Sequence, residues 1–359
     1  MKKKLVAALA LVMTFIMVLS SCGVKAPANT SGSSGAPASQ EGFAEKPEVT
    51  LMLTQHDPDN SLPGQYCHAW ADMVFEKSKG RIKVIVNNGG SIAKPTESLD
   101  KVKDGGVDIA WGLQSFYSGQ FPMTDGLSLP YLPYTSAAQA SDVMMDVWMN
   151  TELLQSDSGY SGTKVILIRS NCDAPITTAK KQLETTADFK GMTIRASVAP
   201  LVNWLGEFGA TGKACPINEL FQNLQNGAFD GAVTDWHGIE SFRLYDNCAK
   251  YFADEQVQYN TYYFLMNQAK YDSLSAENKA VIDACSGQAA LELMKDAWDD
   301  MKATTTKSIE EAGGTVYKLS DAEHQKLVDA ADKVTKQWIA EKGDAGQKLY
   351  DKIIELTKQ

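Results

Sequence analysis

Arg195 ends the short run Met192-Thr193-Ile194 and is the side chain in this sequence best suited to hold an anion. A guanidinium at the carboxyl end of a strand is a fixed, planar, five-donor cation, and it grips a carboxylate through paired, charge-assisted hydrogen bonds. The rest of the chain gives it weight. The formal net charge is −10 over 359 residues, so an anion must be met by a local cation and not by a general positive field. From the residues alone an alternative stays open, that Arg195 forms a structural ion pair with Asp230 or Glu219.

Other candidates flank it or occupy equivalent places. Trp111 and Trp236 each end an apolar stretch, where an indole either packs in the core or covers the apolar body of a ligand. Thr234 and Asp235 precede Trp236. Asp235 would repel a carboxylate beside it; it either receives an ammonium or hydroxyl group or points to solvent, and solvent is the expected direction. His56, Gln114, Tyr117 and Asn171 fall at predicted strand ends or in loops, and His56 reads equally well as a loop histidine in water. These nine residues are the candidate ligand-binding set.

Catalytic and metal chemistry have little to rest on. The sequence holds no GxSxG elbow, no P-loop and no GxGxxG after a strand. His56, His68, His237 and His324 are far apart, and none of the six cysteines form a CxxC pair, so no metal or cofactor is expected. The expected protein is a binder and not an enzyme, a hydrolase with a triad assembled from distant residues being the weaker alternative. Cys67, Cys172, Cys215, Cys248 and Cys285 read as small buried hydrophobes.

The first residues place this chemistry outside the cytoplasm. MKKKLVAALALVMTFIMVLSSC joins three lysines, an apolar run and a small-residue cleavage pattern ending on Cys22. A cysteine there resembles a bacterial lipobox, which implies removal of residues 1–21 and lipid on Cys22, an anchor that does not span the membrane; a plain signal peptide with a stray cysteine, or an uncleaved signal anchor, is the alternative. Removal takes away three lysines and no acids, so −10 becomes −13, a surface that repels nucleic acid. Residues 22–47, rich in Ser, Gly, Pro and Ala, form a tether with an end-to-end distance of roughly 25–30 Å.

Behind the candidates, the pattern reads strand, helix, strand, helix, strand over residues 49–111 and again over 193–233, the alternation of an α/β fold. In both, a Gly-rich helix end leads into an apolar strand with one aspartate, DGGVDIAW and NGAFDGAVTDW. KVILIR at 164–169 is expected to cross from a first lobe, 48–163, to a second, 164–257. QYNTYYFLM at 258–266 returns, and two crossings make a hinge. Residues 258–359 then supply the return strand, a long lobe-spanning helix from Ser275 to Ala312 with Gly287 as its kink, and an amphipathic C-terminal helix that buries Leu327, Val328, Val334, Trp338 and Ile353.

GRIKVIVNNGG, DGGVDIAWG, FPMTDGLSLPYL, KGMTIR and NELFQNLQNGAFDGAVTDW, in this order, resemble the DctP-type substrate-binding proteins of TRAP (tripartite ATP-independent periplasmic) transporters. The resemblance implies a two-lobed periplasmic-binding-protein-like fold with mixed sheets that closes on an organic anion and delivers it to small and large membrane subunits. Its strand-end arginine matches Arg195. A second arginine, which some members place about twenty residues earlier, meets Ala174-Pro175-Ile176 here, and an asparagine that some members place after the DG pair meets Thr234. Both departures favour a monocarboxylate, with an apolar or aromatic body, over a dianion. A sensing role beside a membrane signalling partner is the alternative use of the same fold.

Overall fold

The computed structural model describes residues 42–246 and 248–358. The expected signal segment, Cys22 and most of the expected tether lie outside them. No described helix is long and apolar enough to cross a membrane.

The chain folds as a mixed α/β structure on one nine-stranded sheet, ordered β2-β1-β3-β8-β4-β7-β5-β6 with β9 beside β8. The first expected strand–helix alternation appears as β1 (Val49–Thr54), α1 (Leu62–Lys77), β2 (Ile82–Asn87), α2 (Ser98–Asp104) and β3 (Ile109–Leu113). Ile82, Val84 and Val86 turn inward while Lys83 and Ile85 are exposed, the period of a half-covered strand. Ser61 starts α1 by accepting a hydrogen bond from the Gly64 amide, and Ser136 does the same at α3 (Ala137–Asn150).

β4 (Thr163–Thr178) follows α3, and then comes the second alternation: β5 (Thr193–Arg195), α4 (Ala199–Gly206), β6 (Thr211–Lys213), α5 (Ile217–Gln225), β7 (Gly231–Val233) and α6 (Trp236–Ser241). β8 (Tyr251–Asn267) returns along the whole length of β4. β1 pairs in parallel with β2 and β3, and β5 with β6 and β7, whereas β8 is antiparallel to β3 and β4, and β4 to β7. The two parallel sets therefore run in opposite directions. Their carboxyl ends, where α/β proteins hold ligands, face one another across the middle of β4 and β8. Register shifts between Ser170 and Asp173 and between Ala174 and Ile176 interrupt the ladder at that midpoint; such irregularities bend strands.

The long helix is not where the sequence suggested. Residues 268–311 are divided into α7 (Gln268–Asp272), α8 (Ala276–Ala284), α9 (Gln288–Glu292) and α10 (Met301–Glu311). Gly287 at φ +61° and Met294 at φ +56° break the run, and the turn between α9 and α10 puts Trp298 into the core. After β9 (Thr315–Tyr317), which the sequence reading missed, the long element is α11 (Asp321–Leu356). It kinks at Gly343 and buries Leu327, Val334, Trp338 and Ile353, with Val328 only half-buried. Gly126 lets Trp338 sit against the turn at Thr124–Ser128, since a Cβ there would lie 2.4 Å from the indole. The core is one large apolar cluster around β1–β3 and two smaller ones around β5–β7.

Candidate functional site

Opposed strand ends bring a few loops together. His56 and Asp57 follow β1, Phe116 follows β3, Ile217 begins α5, Thr234 and Asp235 follow β7, and Asn260 and Tyr262 stand at mid-length on β8. They enclose a cavity of about 10 Å³ with Arg195 in its wall, room for about one water molecule.

Arg195 is 2% exposed. Its Nε donates to the Cys215 carbonyl and its Nη1 to the Val233 carbonyl, both at 3.2 Å, so two strand ends fix the guanidinium plane. Neither expected ion pair forms: Asp230 accepts from the Thr193 amide instead, and Arg195 makes no salt bridge among the described residues. Burial lowers its pKa, opposed by the more distant Asp235 charge. A buried cation fixed by two carbonyls, with no carboxylate at ion-pair distance among the described residues, can accept an anion.

Asp235 is buried, which corrects the expectation of a solvent-facing carboxylate. It caps α6 by accepting from the Gly238 amide at 2.7 Å, and it also accepts from Tyr262 Oη at 3.1 Å and Asn260 Nδ2 at 3.3 Å. Burial raises its pKa, but contact with His237, whose Nδ1 is 3.7 Å away, and these hydrogen bonds carry it below the ordinary value. His237 is pushed down by burial and more strongly up by Asp235 and Asp57, ending above its usual range. A capped, internally satisfied Asp235 belongs to the wall and is not a free acceptor.

The nine candidates divide. Arg195, Thr234, Asp235 and His56 line the small cavity. His56 is 9% exposed, packs edge-on against Phe116, and has its Nε2 3.6 Å from Asp57, so it is not a loop histidine in water. Gln114 and Tyr117 line a different cavity, about 390 Å³, between the turn after β3, the loop after β5 and α11. The Tyr117 hydroxyl there accepts from the Leu99 amide and donates to the Pro95 carbonyl, which ties it to the start of α2. Trp111 and Trp236 are core residues. Trp111 stacks on Trp298 with centroids 6.4 Å apart and meets Tyr66 at 5.1 Å, while Trp236 donates from Nε1 to Asp173. Asn171 is buried on β4, both its amide atoms without partners, and lines neither cavity.

Asp57, Phe116, Ile217, His237, Asn260 and Tyr262 join the site without having been singled out. Asn260 and Tyr262 had a readable signal: in QYNTYYFLM they alternate on one face of a strand already recognised as a crossing. Cys67, Cys172, Cys215, Cys248 and Cys285 are buried, and no two of them pair among the described residues. Among the described residues no group of three or more His, Cys, Asp or Glu side chains is placed to hold a metal ion.

The family model "DctP: Bacterial extracellular solute-binding protein, family 7" matches residues 53–342. The C4-dicarboxylate-binding protein DctB of Bacillus subtilis is 23% identical over 89% of this chain and 89% of its own. The 2,3-diketo-L-gulonate-binding periplasmic protein YiaO of Escherichia coli is 22% identical over 72% and 71%. A crystal structure of a marine metagenome TRAP solute-binding protein from an unidentified microbe, described as specific for aromatic acid ligands and holding 3-hydroxybenzoate, superposes with a TM-score of 0.79. It is 28% identical and covers 87% of this chain and 99% of that one.

Proposed function

The chain belongs to family 7 of the bacterial extracellular solute-binding proteins, the DctP type that serves TRAP transporters, and from that premise we propose that it captures a monocarboxylate with an apolar, aromatic body and binds it without chemical change. The carboxylate rests on Arg195 and the body lies among Phe116, Ile217 and Tyr262. One observation carries the reading: Arg195 is buried at a strand end, fixed by two carbonyls, and has no carboxylate partner among the described residues. The aromatic acid ligands of the metagenome protein support the choice of ligand body.

Residues 48–163 and 164–257 act as two lobes hinged at the middle of β4 and β8, with residues 258–359 bracing them. Cys22 carries lipid, residues 22–47 tether the domain outside the cytoplasmic membrane, and the closed form hands its ligand to the TRAP membrane subunits.

A thermal-shift screen of residues 23–359 against mono- and dicarboxylic acids, aromatic acids, amino acids and sugars tests the reading. An acid at 100 times its Kd adds about 2.7 kcal/mol of stability, which raises the midpoint by several degrees. Stabilisation confined to carboxylates, weakened about 100-fold in Arg195→Ala, is the expected result. Stabilisation by sugars or cations alone contradicts it.

A further inference from the structure

Arg169 is the other buried arginine, 1% exposed, and neither of its Nη atoms has a partner. Its Nε donates to the Ser170 carbonyl, and its guanidinium lies 4.3 Å from the centroid of Trp298 and 5.6 Å from that of Tyr66. It makes no salt bridge among the described residues; the Tyr66 hydroxyl and Asp299 influence it only from a distance, and burial lowers its pKa to about 10. Contact with aromatic faces offsets part of the cost of burying a cation, but four N–H donors without acceptors leave a large remainder.

The position of Arg169 gives that cost a use. In the sheet register Leu113, Tyr262 and Arg169 are successive neighbours on β3, β8 and β4, and Leu113 and Tyr262 line the Arg195 cavity. From the other side, Trp298 packs against His237, which also lines it, at 5.6 Å. Arg169 therefore stands one side chain behind the cavity. At about 10 Å³ that cavity must widen to take any organic acid, and moving Tyr262 and His237 opens it towards Arg169. The unpartnered atoms met there include four donor nitrogens, Nη1 and Nη2 of Arg169 and the indole Nε1 of Trp111 and of Trp298, against one carboxylate oxygen in the cavity wall, Oδ2 of Asp57. A donor-rich lining calls for an acceptor oxygen.

We propose that Arg169 is a second ligand-recognising cation, and that the ligand is a monocarboxylate carrying a hydroxyl or carbonyl oxygen on the side away from its carboxylate. Asp57 and Asp235 already place two carboxylates beside the cavity. Against Arg195, Arg169 and His237, which its aspartate neighbours hold above the usual histidine range, they leave one positive charge, matched by a single ligand carboxylate, so the far group is uncharged. This rests on the Arg195 reading and narrows the ligand class within it.

The test is a thermal-shift panel in which each carboxylate skeleton is offered plain, with a distal hydroxyl or oxo group, and with a second carboxylate, to wild type, Arg169→Met and Arg195→Ala. The hydroxy or oxo member of a series is expected to bind wild type about tenfold more tightly than the plain acid. Arg169→Met loses that preference and keeps plain-acid binding, and Arg195→Ala loses both. Because Arg169→Met removes an unpartnered buried charge, its ligand-free midpoint is expected to rise by about 2 °C or more. Equal binding of plain and substituted acids, an undiminished preference in Arg169→Met, or a lower ligand-free midpoint overturns the proposal and leaves Arg169 as aromatic packing. If no acid binds wild type, the Arg195 reading fails first and this one with it.

Discussion

Asp235 and His237 face each other inside the cavity wall, and their opposite pKa shifts give a pH signature at the scale of single residues. Asp235 is held below its ordinary 3.8, so its contribution is present above that pH and is lost as pH falls through the folded value. His237 is held above 6.5, so its contribution is complete below that pH and is lost as pH rises through the folded value. The pair stabilises most between about pH 4 and 6.5. A midpoint-versus-pH profile of ligand-free wild type should step down above pH 6.5, and His237→Gln should remove the step; an unchanged step refutes the assignment. Arg195, His56 and Thr234 were legible because residues that follow parallel strands in this fold point towards one region. Trp111 and Trp236 were not, because strand alternation sends neighbouring residues to opposite sides, and only the partners across the sheet decide which side is core. Arg169 was passed over because KVILIR reads as an apolar crossing strand.

α11 carries two further tests at the scale of elements. Gly343 holds φ +61° and ψ −142°, a region side chains avoid. Gly343→Ala should cost about 1–2 kcal/mol, read as a fall of several degrees in the melting midpoint; an unchanged midpoint means the helix can straighten. Near the kink, burial and the Asp157 charge push the Asp125 carboxyl up to about 7, while Lys342 acts in the opposite direction. A raised carboxyl pKa destabilises the fold progressively as pH rises from 3.8 to about 7. The advantage of Asp125→Asn over wild type should therefore grow across that interval and level off above it. Both strand–helix alternations, and strands within what are β4 and β8, could be read from hydrophobic period alone. The division of residues 268–311 could not, because an amphipathic period fits one long helix or several short ones, and Trp298 must leave the period to reach the core beside Trp111.

For the whole molecule, the decisive feature is that two parallel strand sets point their carboxyl ends at each other across β4 and β8. In the proposed function a ligand held there bridges the two sets, so it would stabilise closure by as much as it prefers the closed arrangement. Solution scattering should show the radius of gyration falling when a stabilising acid is added, and an unchanged radius would mean that no lobe closure accompanies binding. The repeated strand–helix alternation is readable in the sequence, but the size of the space at Arg195 depends on packing that no local pattern encodes. The most direct measurement is a crystal structure of the complex with the most stabilising acid. The carboxylate is expected about 3 Å from the Arg195 guanidinium, between Thr234 and His56. An acid lodged instead in the 390 Å³ cavity beside Gln114, with Arg195 untouched, would contradict it.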